Sequence, residues 1–280
     1  MEPLVIDGTT ASSRDWLRDL VEHPLPGSAD LIEEYDVRFR ADPLIWTSGE
    51  HDRFVHDLLT EFCRCSGRAL AGRLLDIGCG NGHTLAHFSQ RAGADLALAG
   101  LDFSPVGLEL ARERLPEAEL RCCDFLAEAV PGDRDFILSL GVFEHLEDPR
   151  PALRKAVSLL APGGVMYLDV PNGLWRGWSG RHEGFRRHAS GSEQIEWHLR
   201  RASWKRLLGE AGVGVVAAIQ GPVPWLEFVW LLSADPGVAR LDSAEFWRHC
   251  ARERARAAPT RRRHWLNLQK ARVKRWLGRR

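Results

Sequence analysis

From Arg73 to about Leu232, short runs rich in leucine, isoleucine and valine alternate with longer amphipathic stretches. Apolar runs without polar alternation suit strands covered on both faces, and amphipathic stretches between them suit the covering helices. The pattern predicts an α/β protein with a doubly wound, mostly parallel sheet. Strands are expected at 73–77, 97–102, 118–122, 135–140, 164–170 and 213–220, with a last one at 226–232. Helices are expected at 82–92, 105–115, 150–160 and 203–211. Ser104 before Pro105 reads as an N-cap followed by a proline at the first helical position, and Pro162-Gly163-Gly164 as a helix end turning into a strand.

Three regions fall outside this alternation, and they divide the chain. Residues 1–70 precede the sheet domain at 71–233, and a basic helical extension at 234–280 follows it. Within the sheet domain, residues 171–201 make a connection far longer than an ordinary loop and read as a substrate lid. With 280 residues, 44% of them hydrophobic, the chain has material for one large core with appendages. Charge is lopsided: twelve of the 38 basic residues and one of the 38 acids lie from Ala251 onward.

The opening MEPLVIDGTT lacks the basic and long apolar segments of a secretory signal, so a cytoplasmic location is expected. The six cysteines include no CxxC pair and no zinc spacing, and read as reduced thiols. Residues 212–234 are long enough to span a bilayer, but Glu227 and the Gly221-Pro222-x-Pro224 break divide them. Two strands fit that stretch better, and no transmembrane segment is expected.

Behind the first strand stands Gly78-Cys79-Gly80-Asn81-Gly82-His83. A dinucleotide fingerprint needs a third glycine where His83 stands, and a P-loop needs a Gly-Lys-Ser/Thr ending that is absent. Bare glycines permit positive φ and a close ligand approach, and the amides opening the next helix are expected to face an anionic group such as a carboxylate.

With Asp76 just ahead, Leu75-Asp76-Ile77-Gly78-Cys79-Gly80-Asn81-Gly82 resembles the first motif of the class I S-adenosylmethionine-dependent methyltransferases. Further stretches resemble the family in order: Gly100-Leu101-Asp102-Phe103-Ser104, Cys123-Asp124-Phe125, the run from Ser139 to Pro149, and Leu160-Ala161-Pro162-Gly163-Gly164. The resemblance covers about residues 70–232. It implies S-adenosylmethionine as cofactor and S-adenosylhomocysteine as product. The implied binding residues are Asp76, Gly78, Cys79, Gly80, Asn81, Gly82, Asp102, Phe103, Asp124, Phe125 and Leu140. In the family, the acid matching Asp102 takes the ribose hydroxyls, while those matching Asp124 and Phe125 meet the adenine.

A sulfonium methyl is already electrophilic, so the protein's work is positioning, with a general base for the acceptor's proton. His145 is the leading candidate for that base, with Glu144 beside it, and both can instead merely shape the cofactor pocket. His198 is the second candidate, against a capping or packing role; His182 and His188 read as a solvated loop face. The Glu-His pair resembles that of the ubiquinone-type O-methyltransferases, where a glutamate three residues earlier completes a divalent-metal site. Here that position is Gly141, so no metal is expected.

For the acceptor, Trp175, Trp178, Phe185 and Trp197 of the lid offer stacking to a planar molecule, or pack on their own domain. Arg176, Arg181, Arg186 and Arg187 offer contacts to an anionic one. Tyr35-Asp36-Val37-Arg38-Phe39 and Trp46 resemble the cap that covers the cofactor in small-molecule members. The tail at 261–277 sets Trp265, Leu266, Val273, Trp276 and Leu277 along one helical stripe among basic residues. It suits docking on the acidic body or a second subunit, peripheral contact with an anionic membrane, or nucleic acid phosphates.

The expected function is methyl transfer to a small-molecule acceptor, at an oxygen. Two rivals stay open: an RNA or DNA methyltransferase guided by the tail, and a cofactor-binding protein of this fold that transfers nothing. Nucleic acid is disfavoured because the fourth strand's end lacks Asn/Asp-Pro-Pro-Tyr/Phe.

Overall fold

The computed structural model describes residues 16–21, 25, 28–92, 95–171, 183–187, 195–221, 228–237 and 239–256. Its strands are β1 Gly72–Ile77, β2 Leu96–Asp102, β3 Glu119–Cys122, β4 Arg134–Leu140, β5 Leu160–Val170, β6 Gly184–Arg187, β7 Ile195–His198, β8 Gly214–Gln220 and β9 Phe228–Ser233. Seven of them form one sheet in the order β3-β2-β1-β4-β5-β9-β8, while β6 and β7 pair separately as an antiparallel ribbon. The pairs from β3 across to β5 are parallel, and β9 runs antiparallel to both β5 and β8.

The helices are α1 Ser28–Ala41, α2 Gly49–Cys65, α3 His83–Ala92, α4 Pro105–Arg114, α5 Pro149–Ser158, α6 Arg201–Glu210 and α7 Ala244–Arg256. Every strand and helix expected between residues 73 and 232 is present to within a few residues, apart from one boundary. Helix α5 stops at Ser158, and Pro162-Gly163-Gly164 already belongs to β5, whose pairing with β4 shifts register between Arg134 and Phe136. A bulge absorbs the proline and glycines that the sequence suggested as a turn. Ser104 does cap α4, its hydroxyl accepting the Gly107 N–H at 3.0 Å.

Strand alternation distributes the core over two faces. Leu75, Ile77, Ile137, Met166 and Leu168 face one side, with Leu153 and Ala156 of α5 and Leu207 of α6. Leu74, Leu138, Val165 and Tyr167 face the other, with Leu58 and Phe62 of α2, Phe88 of α3 and Phe246 of α7. Each buried aliphatic or aromatic side chain contributes about 1.5–3 kcal/mol.

The first turn of α2 is well determined: Ser48 accepts the His51 N–H, Glu50 and Asp52 favour the helix dipole, and Phe54, Val55, Leu58, Leu59 and Phe62 form the buried stripe. The helix is further tied to α7 through Arg53, which bonds Glu253 at 3.0 Å and Asp57 at 2.9 Å.

The ribbon decides between two alternatives for Phe185 and Trp197. Phe185 and Trp197 do not offer faces to an acceptor; both are fully buried, with ring centroids 5.0 Å apart, and Trp197 Nε1 donates to the Leu146 carbonyl at 2.8 Å. Packing wins because these rings bring more apolar area than the ribbon can otherwise hide. Trp175, Trp178, Arg176, Arg181, His182, His188 and the stripe at 261–277 lie outside the described residues, as do the side chains of Arg186 and Arg187. All six cysteines are free thiols. Among the described residues, no helix is long and apolar enough to cross a membrane.

Candidate active site

In a doubly wound sheet the crevice for a ligand opens where neighbouring strands send their connections in opposite directions, here beyond the carboxyl ends of β1 and β4. The glycine loop leaves β1 and the turn holding Glu144 and His145 leaves β4, so both sequence motifs meet at one crevice.

Gly78 has φ +78°, and a Cβ there would stand 2.4 Å from Val142 Cγ2. Gly82, at φ +72°, would put one 2.9 Å from the Ala111 Cβ. These glycines let the loop close against the β4 turn and α4.

The loop's amides, however, face inward. Gly78 and Cys79 N–H both donate to the Leu101 carbonyl, at 2.7 and 2.9 Å, and Gly80 N–H to Asp102 Oδ2 at 2.7 Å. Gly82 N–H donates to the Cys79 carbonyl, and His83 N–H to Asn81 Oδ1. The first three of these bonds hold the loop to β2, and the last two close its turn ahead of α3. The Cys79 thiol is buried against Gly100, so any part it plays for a ligand belongs to its backbone. Asn81 uses its amide on the Pro43 carbonyl at 2.8 Å, tying the loop to the N-terminal segment.

The site is instead rich in carboxylates. Burial, helped by Asp102, Asp52 and Asp169, pushes Asp76 up to about 8, and its Oδ1 has no hydrogen-bond partner. Burial lifts Asp102 to about 6 against the pull of the Ser104 and Gly80 amides. From an ordinary 3.8, the folded Asp76 keeps its proton across a range where the unfolded chain has lost it. Its contribution to stability therefore falls as pH rises through that window. Urea unfolding of Asp76→Asn is expected to lose less stability than wild type between about pH 5 and pH 8.

Helix α1 and the turn after it cover this loop. Phe39 is buried over Gly80 and Gly107, Asp36 Oδ1 accepts the Ser104 hydroxyl at 2.5 Å, and the Tyr35 ring meets Phe103 edge-on at 5.0 Å. Asp124 caps its own turn, its Oδ1 accepting Leu126 N–H at 2.8 Å, and Phe125 stacks on Phe143 at 6.0 Å. Leu140 ends β4 beside Asp169.

Beyond β4, a 3-10 turn over Phe143–His145 buries Glu144 and half-buries His145. The His145 Nδ1 lies 2.8 Å from the Ile195 carbonyl and so carries the proton, which leaves Nε2 as the acceptor. His198 is buried, its Nε2 at 3.2 Å from Glu196 Oε1. Glu144 sits far above the usual carboxylate range because burial, and then Glu196, disfavour its charge. The structure thus gathers Glu144, His145 and His198 and adds Glu196, which alternation on a strand places on the face of His198.

Three other groups escaped the sequence reading. Asp169 at the end of β5 is fully buried, accepting Gly141 N–H at 2.9 Å on one oxygen and pairing with His51 Nε2 at 2.8 Å on the other. Its partner His51 is held above its ordinary value because Asp169 and Asp52 together outweigh the opposing, individually larger, effect of burial. Asp52 accepts the Thr84 hydroxyl at 2.7 Å and approaches His83 at 2.6 Å. Only their places at strand and helix ends hinted at these roles.

A parallel sheet of this order with one antiparallel strand, a glycine loop after β1 and an acid ending β2 define the class I S-adenosylmethionine-dependent methyltransferase fold. A sequence profile described as a methyltransferase domain matches residues 49–218, and the chain belongs to that family. Trans-aconitate 2-methyltransferase of Methylobacterium radiotolerans is 36% identical over 100 residues, 36% of this chain and 38% of that protein. Ubiquinone biosynthesis O-methyltransferase of Xanthomonas campestris is 33% identical over 111 residues, 37% of this chain and 45% of that protein. The matched stretch thus spans under half the length of these relatives. Among solved structures, the 1,6-didemethyltoxoflavin N1-methyltransferase of Burkholderia thailandensis, with S-adenosylhomocysteine bound, superposes with a TM-score of 0.56 at 19% identity, over 76% of this chain and 91% of that one.

Proposed function

We propose that this protein binds S-adenosylmethionine at the crevice and transfers its methyl group to an oxygen of a small-molecule acceptor. The cofactor fits what the residues offer: an acid-rich site with an orphaned Asp76 oxygen suits a ligand carrying a sulfonium and an ammonium. Asp102, at the end of β2, stands where the family's acid takes the ribose hydroxyls, and Asp124 and Phe125, just beyond β3, where the adenine is held. When bound, the cofactor supplies an electrophilic methyl, and the chain's own work is alignment, worth roughly 7–11 kcal/mol where it is good.

The observation that carries the oxygen assignment is His145: its Nδ1 is committed to Ile195, so Nε2 is presented as a proton acceptor at the end of β4. A hydroxyl needs such a base more than an amine does, because its proton must leave for the oxygen to become a good nucleophile. The O-methyltransferase name of the ubiquinone relative agrees with that chemistry. In the absence of a cation, the buried Glu144 shapes the turn and His198 positions Glu196.

Calorimetry with S-adenosylmethionine and S-adenosylhomocysteine tests the cofactor half. Asp102→Ala is expected to weaken both by tenfold or more, about 1.4 kcal/mol. The acceptor half is tested by incubating the protein with labelled cofactor and hydroxylated small molecules, phenols, sugars and hydroxy acids, and reading methylated product by mass. Transfer confined to amines sinks the oxygen assignment.

A further inference from the structure

The sequence denies the Glu144–His145 pair a third ligand, because position 141 is glycine. The fold fills that space differently. A Cβ at Gly141 would stand 3.3 Å from Glu144 Oε1, so the Glu144 carboxylate lies over the turn itself. Glu196 then arrives from β7, and one ligand atom from each of Glu144, His145 and Glu196 lies within 4.8 Å of the others. Oxygens bound at ~2.1 Å to an ion of Mg²⁺ or Mn²⁺ size stand about 3–4 Å apart, so movements under about 1 Å close this group on a cation.

Two independent features point to a ligand. Glu144 is 2% exposed, and its Oε2 has no hydrogen-bond partner, a cost of about 1–3 kcal/mol if nothing meets it. His145 donates its Nδ1–H to the carbonyl of Ile195, the residue next to Glu196. That is how ligating imidazoles are usually oriented: one nitrogen tied to a carbonyl, the other free to coordinate. The same strand thus supplies both the carbonyl that aims His145 and the third carboxylate.

We propose that Glu144, His145 and Glu196 form a divalent-cation site, with Glu196 of β7 as the ligand that replaces the one lost at position 141. Two carboxylates and an imidazole suit Mg²⁺ or Mn²⁺ and leave positions open for water or an acceptor oxygen. This deepens the proposed function and rests on it in one respect. With the ion in place, the cation acidifies the acceptor hydroxyl, its proton leaves to solvent, and Nε2 of His145 is a ligand rather than the base.

The test uses the full chain stripped with chelator and titrated with Mn²⁺ alone, free ion being read by electron paramagnetic resonance. Calorimetry with S-adenosylhomocysteine on the same samples reports the folded cofactor site. One Mn²⁺ per chain is expected, displaced by Mg²⁺, with Glu144→Gln and Glu196→Gln each weakening it tenfold or more, about 1.4 kcal/mol. If Glu196→Gln loses S-adenosylhomocysteine, Glu196→Asp takes its place, since it keeps the charge and shortens the reach. Absence of one-to-one Mn²⁺ binding below millimolar, or binding indifferent to the Glu196 substitutions in protein that still takes S-adenosylhomocysteine, overturns the site. Loss of S-adenosylhomocysteine binding by wild type with Mn²⁺ binding intact tells against the proposed cofactor instead.

Discussion

His145→Asn is expected to lower kcat by ~10²–10⁴ while leaving S-adenosylhomocysteine binding unchanged. The asparagine amide can take over the donor role of Nδ1 toward the Ile195 carbonyl, 2.8 Å away, but it has nothing in the place of Nε2. The substitution therefore separates holding the ribbon from handling the acceptor's proton or a cation. A packing role predicts that Asn restores activity and that Ala, which loses the bond to Ile195, does not. Steady-state kinetics on any acceptor found by mass, with KM and kcat resolved, distinguishes the two. Asparagine activity close to wild type assigns His145 to structure alone.

Trp197→Ala is expected to cost about 3–5 kcal/mol of stability, measured by urea unfolding. Trp197 is fully buried against Phe185, and its indole N–H is the partner of the Leu146 carbonyl, which the substitution leaves unpaired. Trp197→Phe restores much of the packing but not the bond, and is expected to lose a smaller amount, about 1–3 kcal/mol. Activity is expected to fall in both variants beyond what unfolding explains. The reason is strand geometry: Glu196 and His198 share one face of β7 while Trp197 anchors the other, so loosening the anchor moves both. A Trp197→Ala chain with unaltered stability removes the anchor from the argument.

Much of the fold was legible because the signals that encode it are local. Apolar runs covered on both faces marked the strands of the sheet, Ser104-Pro105 marked the start of α4, and Asp76, the glycines and Asp102 fell at strand ends where a ligand crevice opens. The run at 160–164 was misjudged because proline and glycine signal a break in local conformation without saying whether it is a turn or a bulge; pairing with β4 made it a bulge. The lid aromatics were left open between stacking and packing for a related reason. A tryptophan in a long connection looks available until the body beneath it is known, and here Leu146 and Phe185 claim it.

The site divides along the same line. The sequence by itself determined a doubly wound sheet, a bare loop after its first strand, acids at the ends of β1 and β2, and a Glu-His pair after β4, since each depends on residues within a few positions of one another. Tertiary structure alone turned the Gly78, Cys79 and Gly80 amides inward to Leu101 and Asp102. It alone paired His51 with Asp169 and carried Glu196 to a turn about fifty residues earlier in the chain. Such meetings come from burial of apolar area and the need to pair buried polar atoms across long separations, which no periodicity along the chain records.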